Sequence, residues 1–170
     1  HWMGEYLLWR SRRQGGKSYY QARLYFQKLL KYYPKNLNAL LTLEGLAARH
    51  RRWKHARTLL LQAIVIHRAG SRYYYRKICN YSLKIKAYKD AIFYSRKAIA
   101  LNPKNASAHA DLARIYHKAG QTQKAIASYN EAIHLRPQGY GYSLALANLL
   151  RKAGQLRKAA SLYRFVLKHS

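Results

Sequence analysis

Apolar residues recur along the chain at helical intervals. Within Ala106–Gly139, Leu112, Ile115 and Tyr116 mark one face of 3.6-residue period, and Ala119-Gly120 closes that stretch. A second stretch sets Ala125, Ile126, Tyr129, Ala132 and Ile133 on one face and stops near Pro137. The alternation of apolar and polar residues that marks a strand is found nowhere in the sequence. The pattern predicts two helices per segment and an all-α protein.

The same pattern repeats in steps of about 34 residues. The first alanine of the second helix recurs as Ala22, Ala56, Ala91, Ala125 and Ala159, and the position seven residues on is Leu29, Ala63, Ala98, Ala132 and Val166. Proline recurs as Pro34, Pro103 and Pro137, with Arg68 in the empty slot, and an aromatic stands three residues before the alanine at Tyr19, Trp53 and Tyr88. Small residues at these places let two helices cross closely while the aromatic fills the adjacent hole. The register predicts about ten helices in five hairpins.

Ala113, Tyr116, Gly120, Ala125, Tyr129, Ala132 and Pro137 in one copy, and Ala147, Leu150, Gly154, Ala159 and Tyr163 in the last, resemble the tetratricopeptide repeat. The resemblance covers nearly the whole chain, 1–170 as a single array, with copies at about 3–36, 37–71, 72–105, 106–139 and 140–170. It departs from the pattern at Arg10, Arg13 and Glu44, which fill slots usually small or aromatic, and in one extra residue placed in the turn after Ile66. It implies a right-handed α-solenoid whose concave groove is lined by the first helix of each pair. Such grooves receive peptides or helices of partner proteins.

Composition narrows the choice of partner. The 170 residues are 49% hydrophobic, enough to bury a core, yet carry 33 Lys and Arg against 5 Asp and Glu, for a net charge of +28. The excess is no tail: residues 1–85 hold a net +16 and residues 86–170 a net +12. A face of one sign attracts the other sign, so an acidic or polar protein segment is the expected partner, with RNA, DNA, an acidic polysaccharide or an anionic lipid surface as the alternative. The longest apolar run, Leu59–Ile66, is broken by Gln62 and is far too short to span a membrane. His1-Trp2-Met3 leads into no signal peptide. We expect a soluble chain, leaning to the cytoplasm, with an upstream signal or anchor left open.

Enzymatic groups are sparse, and we expect no catalytic residue, metal or cofactor. Glu5, Glu44, Asp90, Asp111 and Glu131 are scattered over four copies, and the two that share one, Asp111 and Glu131, are twenty residues apart, which argues against a paired general acid and base. Gln14-Gly15-Gly16-Lys17-Ser18 resembles the end of a phosphate-binding loop, but Ser11 stands where that loop needs glycine, so it reads as a turn between helices. His50 and His55 straddle a turn, and His109 and His117 are eight residues apart; none has the i+4 partner a helical metal site prefers. Cys79 shares its slot with Ala113 and Ala147 and reads as a helix-contact residue.

The candidate binding residues lie on the first helices, away from their pair partners. Arg76, Asn80 and Lys84 share one stripe of the third copy, with Tyr73 one turn earlier; Arg114, His117 and Lys118 match them in the fourth, and Asn148, Arg151 and Lys152 in the fifth. Arg49, Lys84, Lys118 and Lys152 recur at repeat spacing as a ladder. Tyr19, Tyr88, Tyr116, Tyr129 and Tyr163 fill packing slots, which leaves Tyr32, Tyr33, Tyr73, Tyr74, Tyr75, Tyr140 and Tyr142 as possible contacts. The clamp by which chaperone-binding members hold a terminal carboxylate is incomplete: Arg76 and Asn80 imitate its first pair, but Asp111, then Gly141 and Ala145, fill the rest. Leu162, Phe165 and Val166 of the last helix have no following helix to cover them, which predicts a continuing chain or self-association.

Overall fold

A computed structural model describes Tyr6 and residues 16–169. The described residues form nine α-helices and no strand: α1 (Gly16–Tyr32), α2 (Leu37–Arg49), α3 (Trp53–Ile66), α4 (Ser71–Lys84), α5 (Tyr88–Leu101), α6 (Ala106–Lys118), α7 (Thr122–Leu135), α8 (Tyr140–Lys152) and α9 (Leu156–His169). The expected first helix of the first copy, with Arg10 and Arg13, lies outside the described residues. Gly16, Lys17 and Ser18 form the first turn of α1 and are not the turn read from the sequence. The chain groups into two compact units that divide after Ile85, inside the third copy.

The alanines that set the repeat are among the most deeply packed positions. Ala22, Ala56, Ala91, Ala125 and Ala159 are all buried, as are Ala63 and Ala132 seven residues on. In the first unit, Tyr19, Ala22 and Phe26 of α1 share a core with Ala39, Leu40, Leu43 and Leu46 of α2 and Leu59 of α3. In the second, Leu112 and Tyr116 of α6 pack with Ala125 of α7 and Leu149 of α8. Each helix therefore packs on the next in chain order within its unit.

The start of each first helix alternates between two devices. Asn36 caps α2 by accepting from the Ala39 N–H at 2.9 Å, and Asn105 caps α6 by accepting from Ser107 and Ala108. The equivalent slots before α4 and α8 hold Gly70 and Gly139. There an aromatic ring takes the space: a Cβ at Gly70 would lie 2.9 Å from the Tyr74 ring, and one at Gly139 2.6 Å from the Tyr142 ring. The extra residue of the third copy is not in the turn after Ile66. Four residues separate α3 from α4, as they separate the other copies, and a 3₁₀ turn at Arg68–Gly70 occupies that space. The addition lies in α4, with 14 residues against 13 in α2.

Each hairpin turn among the described residues closes on one residue with positive φ, at Arg51 (55°), Lys86 (58°), Gly120 (74°) and Gly154 (75°). Side chains rarely adopt this conformation, so the two non-glycine turns are strained and the two glycine turns are not. Space is open around Gly120, and the difference is therefore one of backbone alone. Gly120→Ala should destabilise the protein by about 1 kcal/mol and Arg51→Gly should stabilise it by about 0.5 kcal/mol, measured by urea unfolding followed by circular dichroism.

Candidate functional site

The eleven sequence-predicted site residues are all exposed. Arg49 ends α2; Tyr73, Arg76, Asn80 and Lys84 lie on α4; Arg114, His117 and Lys118 on α6; Asn148, Arg151 and Lys152 on α8. The ladder is divided between the units, with Arg49 and Lys84 in the first and Lys118 and Lys152 in the second.

In the first unit, α2 and α4 are tied by a network the sequence reading did not include. Glu44, only 2% exposed, receives the Lys77 ammonium at 2.5 Å on Oε2 and the Tyr81 hydroxyl on Oε1. Its slot is filled by Cys79, Ala113 and Ala147 in the later copies, all buried. A carboxylate in a slot otherwise small is tolerated only because both its oxygens are satisfied across the helix pair. Trp53 stacks on Tyr81 at 5.6 Å and closes the network from α3. Burial, then the bond to Glu44 and its charge, push the Tyr81 hydroxyl well above the ordinary tyrosine range. Lys77, 27% exposed, also lies 5.5 Å from the ring of Tyr73, which is itself 52% exposed. A cation and an aromatic are thereby held beside the Arg76 and Asn80 stripe. The one signal in the sequence was Glu44 itself, out of place in its column.

In the second unit, Asp111 and Arg114 form an ion pair of 2.8 Å one turn apart on α6, both about half exposed. Such a pair contributes at most about 1 kcal/mol to stability, but it offsets part of the Arg114 charge toward any ligand. Asn148 accepts from the Tyr163 hydroxyl at 2.8 Å, which orients its amide from α9. Tyr129, one repeat before Tyr163, has its hydroxyl pushed up by burial; Arg114 opposes that shift and Asp111 adds to it. Over the buried Tyr116, the exposed Arg96 donates to its hydroxyl at 2.7 Å, and the exposed Lys124 sits 5.9 Å from its ring.

The His50 ring lies 3.6 Å from that of Tyr19, and His109 Nε2 is 2.9 Å from the Pro103 carbonyl. His55 is held below the ordinary histidine range by partial burial and by the charges of Arg23 and Arg52. Among the described residues, no three His, Cys, Asp or Glu side chains cluster as a metal site. No helix of the described residues is long and apolar enough to cross a membrane.

Residues 83–138 match the family model for the tetratricopeptide repeat. No curated protein matches the sequence. Among solved structures, a crystal structure of MamA is 24% identical with a TM-score of 0.75, over 94% of this chain and 92% of that one. MamA from Desulfovibrio magneticus RS-1 is 21% identical with a TM-score of 0.75, over 98% and 92%. YrrB, described as a TPR protein with an unusual peptide-binding site, is 14% identical with a TM-score of 0.71, over 98% and 84%. The fold is an all-α helical-repeat solenoid.

The Glu44 network makes two measurable demands. Glu44→Ala should cost about 2–3 kcal/mol in urea unfolding, and adding Lys77→Met should return about 1 kcal/mol by removing the unpaired charge. The Tyr81 proton is retained by the folded state and released by the unfolded state, so the stability it contributes is present below pH ~10 and lost as the pH rises beyond it. Tyr81→Phe should flatten that alkaline loss, followed by thermal unfolding between pH 8 and 11.

Proposed function

We propose that this tetratricopeptide repeat protein is a module of protein–protein interaction whose exposed basic first-helix faces receive an acidic segment of a partner and so help assemble a complex. The observation that carries this reading is the sign of those faces. Tyr73, Arg76, Asn80 and Lys84 stand exposed on α4, Arg114, His117 and Lys118 on α6, and Arg151 and Lys152 on α8, with Asp111 the one carboxylate among them. A ligand carboxylate meets a charge-assisted donor at each turn of helix, while the Asn80 and Asn148 amides suit a peptide backbone. YrrB, of the same fold, is described as having a peptide-binding site, in keeping with this use of the architecture.

A second reading, binding of RNA or another polyanion, draws on the first unit. Tyr32, Tyr33 and Tyr73 are exposed there among Lys31, Lys35, Arg72 and Arg76, an interleaving that suits base stacking beside phosphate contacts.

Fluorescence anisotropy with a labelled Glu/Asp-rich peptide and a labelled single-stranded RNA, each across a salt series, separates the two. The peptide should bind, Arg76→Glu with Arg114→Glu and Arg151→Glu should weaken it about tenfold or more, and Asp111→Asn should strengthen it by freeing Arg114. Peptide affinity unmoved by the triple variant at unchanged helicity would refute the reading. RNA binding that falls steeply with salt and is lost in that variant would replace it with the second.

A further inference from the structure

The two sides of α9 differ. Ala159, Leu162 and Tyr163 pack with Leu146 and Leu150 of α8. Leu162 and Val166 are half-buried, while Phe165 is 40% exposed with its ring 6.3 Å from that of Tyr140. The open stripe is Leu156 (63% exposed), Ala160 and Leu167 (81%), which share one edge of the helix.

The preceding copy shows what such an edge holds. Ile126 and Ile133 of α7 occupy the positions of Ala160 and Leu167 one repeat earlier, and they pack into the cluster formed with Leu146 and Leu150 of α8. The register of this edge is that of a seat for a helix. Its rim, however, has changed. Where α7 carries Gln123, Asn130 and His134, α9 carries Arg157, Arg164 and Lys168, all exposed, and neither α8 nor α9 contains a single Asp or Glu. A second copy of α9 laid on this edge would bring cation against cation.

We infer that the outer edge of α9, formed by Leu156, Ala160 and Leu167 and rimmed by Arg157, Arg164 and Lys168, docks an acidic amphipathic helix of another protein. Its apolar stripe covers Leu167 as α8 covers Ile133, and its carboxylates meet the three cations. This surface is separate from the first-helix faces and stands whether or not those faces bind an acidic segment.

The test uses the whole chain and two labelled peptides that carry the apolar stripe of α8, one with Glu and one with Lys at the remaining positions. The Glu peptide should bind, the Lys peptide should bind about tenfold or more weakly, and Leu167→Glu should abolish the difference. All of these measurements are made in the Arg76→Glu, Arg114→Glu, Arg151→Glu background, so that acidic-peptide binding at the first-helix faces does not contribute. Leu167 is so exposed that its replacement should keep the fold, which circular dichroism checks. The inference is overturned if the Glu peptide does not bind, if both peptides bind alike, or if Leu167→Glu has no effect. A concentration-dependent dimer in sedimentation, broken by Leu167→Glu, would overturn it in favour of a second copy of the chain.

Discussion

The close approach of helices at one repeated alanine governs the architecture. Ala22, Ala56, Ala91, Ala125 and Ala159 are buried to within about 2% of completely, and each sits where a second helix begins its crossing. A side chain reduced to a methyl group lets the axes come near enough for Leu, Ile and Tyr from neighbours to interdigitate at interior density. Anything larger would push the pair apart and would have to be answered along the whole interface. Once this spacing is set, the helix that follows each turn has one face committed to packing and one left over for solvent or a ligand.

Charge is distributed under that constraint. A chain with a net +28 repels itself, and its five carboxylates are too few to offset this at the surface. One of them, Glu44, is withdrawn into the interior, where it serves Lys77 and Tyr81 and offers nothing to solvent. Another, Asp111, is engaged with Arg114. The exposed faces of α4, α6 and α8 are consequently nearly pure in sign. That purity is a property of where the few acids fold, as much as of how many bases the chain contains.

The copies serve as internal controls on one another. A glycine at a hairpin turn in two copies shows that Arg51 and Lys86 carry backbone strain in the other two. Small residues in three copies show that Glu44 needs a reason to be buried, and the reason is found on α4. The covered edge of α7 gives the same service for the open edge of α9. Equivalent positions under unequal residues separate what the repeat requires from what this chain has added to it.

Helix positions, the five packed alanines, the turn glycines and the exposure of the eleven candidate side chains were legible in the sequence, because each follows from periodicity along a single helix or from recurrence of one unit. Three things were not. The extra residue of the third copy was expected in a turn and lies in α4, since spacing counts residues without saying which element absorbs them. The contact between Phe165, itself still 40% exposed, and Tyr140 was not legible either, because which neighbour a terminal helix meets depends on its rotation against α8. Of the Glu44–Lys77–Tyr81 network only the misfit of Glu44 showed, since its partners lie more than thirty residues away on α4. Sequence alone determined the class of fold, the register and the sign of the charge. Tertiary structure decided which charges cancel and which edges stay open, because distances between groups on different helices exist only once the helices have packed.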